Sequence, residues 1–240
     1  MKHYGIIGKP VAQSFSARYF SDKFSRENIN AQYERYELNQ IEEVLPYLEK
    51  LDGFNVTIPY KQAIIPYLQG LDDTARKIGA VNVVNKNHIG FNTDCIGFMN
   101  SIRPVLLPTD KKALILGTGG AAKAVRYGLN QLGLETTYVS RTPDKDTGEK
   151  TIGYDALTED IIRQHTVIVN CTPLGMWPNT DNCAHIPYSF LSSAHLLYDC
   201  VYNPEETLFL LHGKQQGTRI LNGLGMLYGQ AEAAWKIWNQ

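Results

Sequence analysis

Ala113-Leu114-Ile115-Leu116-Gly117-Thr118-Gly119-Gly120-Ala121-Ala122 is the stretch whose reading decides the fold. The apolar run reads as a buried strand, the glycines break it, and a helix follows from Ala121 to Leu132 with Gly133 as its stop. Gly117, Gly119 and Ala122 fit the spacing G-x-G-x-x-A. The first glycine permits a tight turn, and the second lets backbone approach a pyrophosphate. The small third residue lets helix and strand pack closely, with anionic charge at the helix N-terminus. A tight turn without ligand would use the same glycines, but the strand–turn–helix setting favours dinucleotide binding.

Outward from this turn the same grammar repeats. Thr136 to Val139 reads as the next strand and runs into Ser140-Arg141-Thr142. An NAD-binding unit usually carries a carboxylate there to hold the ribose hydroxyls. Here Arg141 can fork onto a 2′-phosphate, with Ser140 and Thr142 as hydroxyl donors, so NADP is expected over NAD. A solvated loop arginine is the plainer alternative. Lys145 could assist or be an ordinary surface lysine. Val167 to Asn170 and Leu196 to Asp199 read as further strands.

Upstream, Tyr4 to Ile7, Ala31 to Leu38 and Gly53 to Ile58 read as strands, and Ser14 to Glu27 and Ile41 to Leu51 as helices. Pro59 suits the first turn of another helix, which would place Lys61 just inside it. Val81 to Val84 and Ile89 to Phe91 read as a hairpin, Asp94 to Ile102 as a helix, and Gly225 to Trp238 as the final helix. Strands alternating with helices predict an α/β fold with parallel sheet covered on both faces. Pro104 to Asp110 is polar and proline-bounded, a plausible lobe boundary.

Composition excludes several classes. The chain has 240 residues, 43% hydrophobic and 20% charged, with a net charge of -1. That length corresponds to about one and a half domains. No global field draws in nucleic acid or a membrane surface. Met1 to Ile7 has no signal-peptide h-region, and no apolar run approaches the roughly 18 residues of a membrane span. Cys95, Cys171, Cys183 and Cys200 are scattered, with no CxxC pair, so neither a disulfide framework nor a metal site is expected. A reducing, cytoplasmic setting fits.

A cofactor turn needs a substrate site, and the first half concentrates polar groups where strands end. Ser14 and Ser16 sit in a loop before a helix, where two hydroxyls and helix-terminal amides suit a small carboxylate. In isolation, plain N-capping by Ser16 would be the better explanation. Asn55 and Thr57 share one strand face, with Lys61 just beyond. Asn82 and Asp94 close the runs Gly79 to Asn82 and Gly90 to Asp94. Taken singly, Lys61 reads as a surface lysine and Asp94 as an N-cap.

Together these runs carry a resemblance. Gly8 to Ser16, Asn55 to Lys61, Gly79 to Asn82, Asn92 to Asp94 with Gly97-Phe98, Gly117 to Ala122, Asn170 to Met176, Asp199 to Pro204 and Gly223 to Gln230 occur in this order. They closely resemble the motifs of shikimate dehydrogenases of the common, shikimate-specific type, across essentially the whole chain. The resemblance implies reversible, NADPH-dependent reduction of 3-dehydroshikimate to shikimate, in the biosynthetic route to aromatic amino acids. It implies a two-lobed fold: a substrate lobe of residues 1–101 and 224–240, and a Rossmann-like NADP lobe of residues 102–223. By matched position, Ser14 and Ser16 would hold the substrate carboxylate. Thr57, Asn82, Thr93, Asp94 and Gln230 would face its ring hydroxyls. Lys61 would be the catalytic lysine, paired with Asp94. Tyr202 would lie by substrate and nicotinamide. Gly117, Thr118, Gly119, Gly120, Ala121, Ser140, Arg141, Thr142, Thr172, Pro173, Val201, Gly223 and Met226 would hold the cofactor. Monomers and dimers both occur in the family.

Three positions depart from the family pattern. Gln13 and Ala17 flank the serines where His and Pro are usual, and Ser140 stands where Asn is usual. The segment from Arg141 to Asn170 is short, and Pro143-Asp144-Lys145-Asp146-Thr147-Gly148 is a poor helix former. The helix that family members place after the second strand of the cofactor lobe is therefore expected to be missing or reduced to a loop. Two rival readings stand beside the main one. A quinate/shikimate dehydrogenase would tolerate an extra ring hydroxyl and use NAD, against which the two serines and Arg141 argue. A non-catalytic dinucleotide-binding sensor would have no need of the Lys61–Asp94 pair.

Overall fold

The first strand, β1 (Lys2–Gly8), shows how this chain sorts its side chains. Tyr4 and Ile6 enter one apolar cluster and Ile7 enters another, because successive strand residues face opposite sides of a sheet. The structure is a computed structural model and describes residues 1–143 and 148–240. It divides into two units, Met1–Asp94 with Gln230–Gln240, and Cys95–Gly229. The first division falls after the opening residue of the helix Asp94–Ile102 and the second inside the helix Leu224–Trp238, whereas the sequence expectation put them at 101/102 and 223/224.

In the first unit β1 is followed by α1 (Phe15–Arg26), β2 (Ala31–Glu37), α2 (Leu45–Lys50), β3 (Gly53–Val56), β4 (Gly70–Leu71), α3 (Asp73–Ile78), β5 (Val83–Asn85) and β6 (Ile89–Phe91). The sheet order is β2-β1-β3-β5-β6-β4. β1 runs parallel to β2 and β3, whereas β5 is antiparallel to β3 and β6. The hairpin expected between β5 and β6 is present, and it makes this sheet mixed rather than wholly parallel. One of the two clusters is aromatic: Phe20 and Tyr33 stack at 4.9 Å, and Tyr4 and Trp238 at 4.9 Å.

One expected element is absent. No helix follows Pro59; the stretch after β3 is turn, ending in a 3-10 turn at Ile65–Tyr67. The reason is visible in the backbone. A helix would need the Lys61 carbonyl to accept from Ile65, but it accepts instead from Val81 N–H at 2.7 Å, and Ile65 N–H goes to Gln62 O. Pro66 also has no N–H to contribute. This cross-link seats the Lys61 backbone one residue from Asn82.

The second unit begins in α4 (Asp94–Ile102). It continues through β7 (Lys112–Leu116), α5 (Gly120–Gln131), β8 (Glu135–Val139), β9 (Thr151–Ile152), α6 (Glu159–Gln164), β10 (Val167–Asn170), β11 (Leu196–Asp199), α7 (Leu208–Gln215) and β12 (Arg219–Leu221). It ends in α8 (Leu224–Trp238), whose second half is counted with the first unit. The sheet order is β12-β11-β10-β7-β8-β9, parallel throughout. Ala113 and Ile115 face one cluster and Leu114 and Leu116 the other, which is why β7 reads as an unbroken apolar run. Between β8 and β9 none of the described residues 140–143 and 148–150 is helical. Lys145 lies outside the described residues.

Candidate active site

In the first unit the polar residues converge. Lys61 Nζ donates to Asp94 Oδ2 at 2.6 Å, with both side chains largely buried. Asn82 holds the other carboxylate oxygen: its Nδ2 donates to Asp94 Oδ1 at 2.9 Å and to Thr93 Oγ1 at 2.9 Å. Its Oδ1 accepts from Thr93 N–H at 2.7 Å, which fixes the amide orientation. Asn82 in turn is placed by backbone, since its carbonyl accepts from Val56 N–H and its own N–H donates to Phe91 O. The ammonium thus sits in one geometry, held by groups from β3, β6 and the start of α4.

The network reaches further than expected. Asn55 Nδ2 donates to Asn82 O at 3.2 Å, and Tyr33 Oη donates to Asn55 Oδ1 at 2.6 Å. Ser16 hydrogen-bonds Tyr33, whose hydroxyl is pushed well above the usual tyrosine range by burial. Ser16 is therefore drawn inward, and it does not cap α1. Ser14 does so, accepting from Ala17 N–H at 3.4 Å, and α1 starts at Phe15 rather than at Ser14. Ser14 is half-buried and keeps its own O–H as a donor. Thr57 follows β3 and is half-buried, and Gln230 is buried on α8. Tyr33 was not foreseen as part of this set; a tyrosine amid the charged residues of β2 gave no signal.

The residues expected to hold the cofactor all lie in the second unit. Gly117 has φ +100, a left-handed conformation that favours glycine. A Cβ there would also lie 3.2 Å from Thr172 Cγ2. Gly119 has an ordinary φ of -75, and a Cβ on it would meet nothing within 4 Å. It is the N-cap of α5 and supplies no side-chain cap. Open space in front of uncapped helix amides is what an anionic pyrophosphate requires. Thr118, Gly120 and Ala121 flank it, and Ala122 is fully buried against the core. At the end of β8, Ser140 is buried and its Oγ accepts from Thr142 N–H at 3.1 Å, while Arg141 is exposed. The residues present therefore fit a phosphorylated dinucleotide.

Around the ends of β10 and β11 lie the remaining expected residues. Thr172 is half-buried and Pro173 exposed; Val201 is buried; Tyr202 is half-buried, with its hydroxyl raised by burial. A Cβ on Gly223 would collide with the Cys200 carbonyl, so only glycine allows that approach. Met226 is buried on α8. Two features here escaped the sequence reading. Cys171 and Cys200, far apart in sequence, have their Sγ atoms 3.7 Å apart as free thiols. Burial pushes the Cys171 thiol well up, which makes it a poor nucleophile. Asn170 and Asp199, the last residues of adjacent strands, form a buried pair. Polar residues closing the apolar runs VIVN and LLYD were the available signal.

One unit with a glycine turn on a parallel sheet, and another in which a fixed ammonium is set among amides and hydroxyls, define a dinucleotide-dependent oxidoreductase of a small polar substrate. Residues 6–84 match the model of the shikimate dehydrogenase substrate binding domain. A shikimate dehydrogenase (NADP(+)) of Clostridium beijerinckii is 36% identical, over 100% of this chain and 93% of its own length. The crystal structure of shikimate dehydrogenase from Aquifex aeolicus superposes with a TM-score of 0.88 at 34% identity, covering 100% of this chain and 92% of that one. The Thermus thermophilus enzyme, solved with NADP(H) and shikimate, gives 0.86 at 29% identity, over 99% and 93%. The chain belongs to the shikimate dehydrogenase family.

Proposed function

We propose that this chain catalyses the reversible NADP-dependent reduction of 3-dehydroshikimate to shikimate, with Lys61 and Asp94 as its acid–base pair. The observation that carries the reading is the Lys61–Asp94 contact at 2.6 Å, locked by Asn82. Bound NADPH supplies a hydride to the substrate ketone. Negative charge then grows on the ketone oxygen, and a positioned ammonium both stabilises it and delivers a proton. Lys61 Nζ holds that proton. Asp94 accepts one Lys61 N–H, leaving the others to point at the substrate oxygen. In the reverse direction the same nitrogen takes the hydroxyl proton. A polyhydroxylated ring needs several fixed donors and acceptors, and Thr57, Asn82, Thr93 and Gln230 supply these types. Ser14 and Ser16 would bind the carboxylate, Ser14 with the freer hydroxyl. Tyr202 would border the substrate.

The cofactor would rest its pyrophosphate on residues 117–121 and its 2′-phosphate by Ser140, Arg141 and Thr142. Its nicotinamide end would lie by Thr172, Pro173, Val201, Gly223 and Met226. The proposed substrate residues all belong to the unit of residues 1–94 and 230–240, Gln230 on the returning half of α8 included, except Tyr202. A spectrophotometric assay tests the reading. NADP+ reduction is expected with shikimate, with little with NAD+ or with quinate; comparable rates with NAD+ or quinate would favour the broader dehydrogenase, and no turnover would favour a sensor.

Arg141→Ala tests the cofactor assignment. Loss of a charge-assisted contact to phosphate is expected to raise the NADP+ KM by about 10- to 100-fold while leaving that for NAD+ nearly unchanged. An equal change for both cofactors would remove Arg141 from the phosphate site.

A further inference from the structure

Asp199 has no exposed surface, yet none of the steps above uses it. Its Oδ2 accepts from Thr207 Oγ1 at 2.5 Å; its Oδ1 accepts from Asn170 Nδ2 at 2.9 Å and from Val201 N–H at 3.0 Å. The chain of bonds has one direction. Thr207 accepts from Leu210 N–H as the cap of α7 and donates its own O–H to Asp199. Asn170, having donated to Asp199, turns its carbonyl oxygen to Thr172, accepting from its N–H at 3.0 Å and its Oγ1 at 2.6 Å. Thr172 Oγ1 accepts from Leu174 N–H at 3.3 Å. Every partner of Asp199 donates, so only an acceptor fits this position.

We propose that Asp199 is a positioning residue: its buried carboxylate, tied to Thr207, Asn170 and Val201, sets the loops Cys171–Met176 and Cys200–Pro204 that border the cofactor. This rests on the cofactor placement proposed above. Both loops pack against glycines of that placement, Gly117 against Cys171 and Thr172, and Gly223 against Cys200. A change in either loop therefore reaches the cradle directly.

Stability alone does not explain the carboxylate. Burial raises its pKa to about 6, against the pull of the hydrogen bonds from Thr207, Val201 and Asn170. The titratable groups facing it are the Cys171 thiol and the hydroxyls of Tyr188 and Tyr198, all raised by burial, and no cation contributes. A carboxyl whose folded pKa lies above its unfolded value binds its proton more tightly when folded. Its ionised form is therefore a penalty above pH 6, relieved as pH falls toward the ordinary carboxylate range.

The test is calorimetric titration of NADP+ into the free protein, with thermal unfolding alongside. Asp199→Asn and Thr207→Val are each expected to weaken NADP+ binding about tenfold or more. Thr207→Ser, which keeps the hydroxyl, recovers most of that loss. The ratio of wild-type to Asp199→Asn affinity narrows as pH falls through about 6, a comparison in which any titration of the ligand cancels. Binding within twofold of wild type in both Asp199→Asn and Thr207→Val overturns the proposal. So does a loss in Thr207→Val that follows a lowered melting point and is not recovered by Thr207→Ser. Failure of the wild-type protein to bind NADP+ would overturn the functional reading instead.

Discussion

Lys61→Ala is expected to lower turnover by about 10²- to 10⁴-fold, the range over which a positioned general acid contributes, while shikimate still binds. The residues around Lys61 explain why binding survives. Asp94 keeps its bond from Asn82, and Asn82 keeps Thr93, so the polar wall stands without the ammonium. What is lost is the proton and the charge at the reacting oxygen. Steady-state kcat together with calorimetric titration of shikimate separates the two. Near-normal turnover would remove Lys61 from the chemistry, and loss of shikimate binding at unchanged turnover would make it a binding residue only.

Trp238→Ala is expected to destabilise the first unit by about 3–5 kcal/mol, the usual cost of truncating a large buried aromatic. Trp238 is 5% exposed, stacks on Tyr4 at 4.9 Å and lies 5.1 Å from Phe20 between ring centroids. Its Nε1 donates to Val84 O at 3.0 Å, so truncation also removes this hydrogen bond. Gly53 is part of the same fit, because a Cβ on it would enter the indole ring. The thermal midpoint should fall on the order of 10 °C. Trp238→Phe, which refills part of the volume, should restore part of the loss. An unchanged midpoint in the alanine variant would show that the end of α8 does not hold this core.

Much of this was legible before any coordinates, for definite reasons. β7, β10 and β11 are buried on both faces, so their sequences are unbroken apolar runs that no solvent-facing strand would show. The glycine turn announced itself because only glycine takes the φ of residue 117 without strain. Where the reading failed, a distant partner had intervened. Pro59 invited a helix, but Val81 N–H claimed the Lys61 carbonyl. Ser16 had the chemistry of a cap, but Tyr33 drew it inward and Ser14 took the role. The four cysteines looked scattered, because nothing local foretells that β10 and β11 are neighbours.

By itself, then, the sequence determined the α/β alternation, the glycine turn and the residue types of the proposed site, all carried by contacts within one turn or one strand. The tertiary structure alone decided that Lys61 meets Asp94, that Asn82 holds the same carboxylate, and that Trp238 closes on Val84. Those contacts join residues far apart in the chain, and a hydrogen bond constrains atoms in space without leaving a period in sequence.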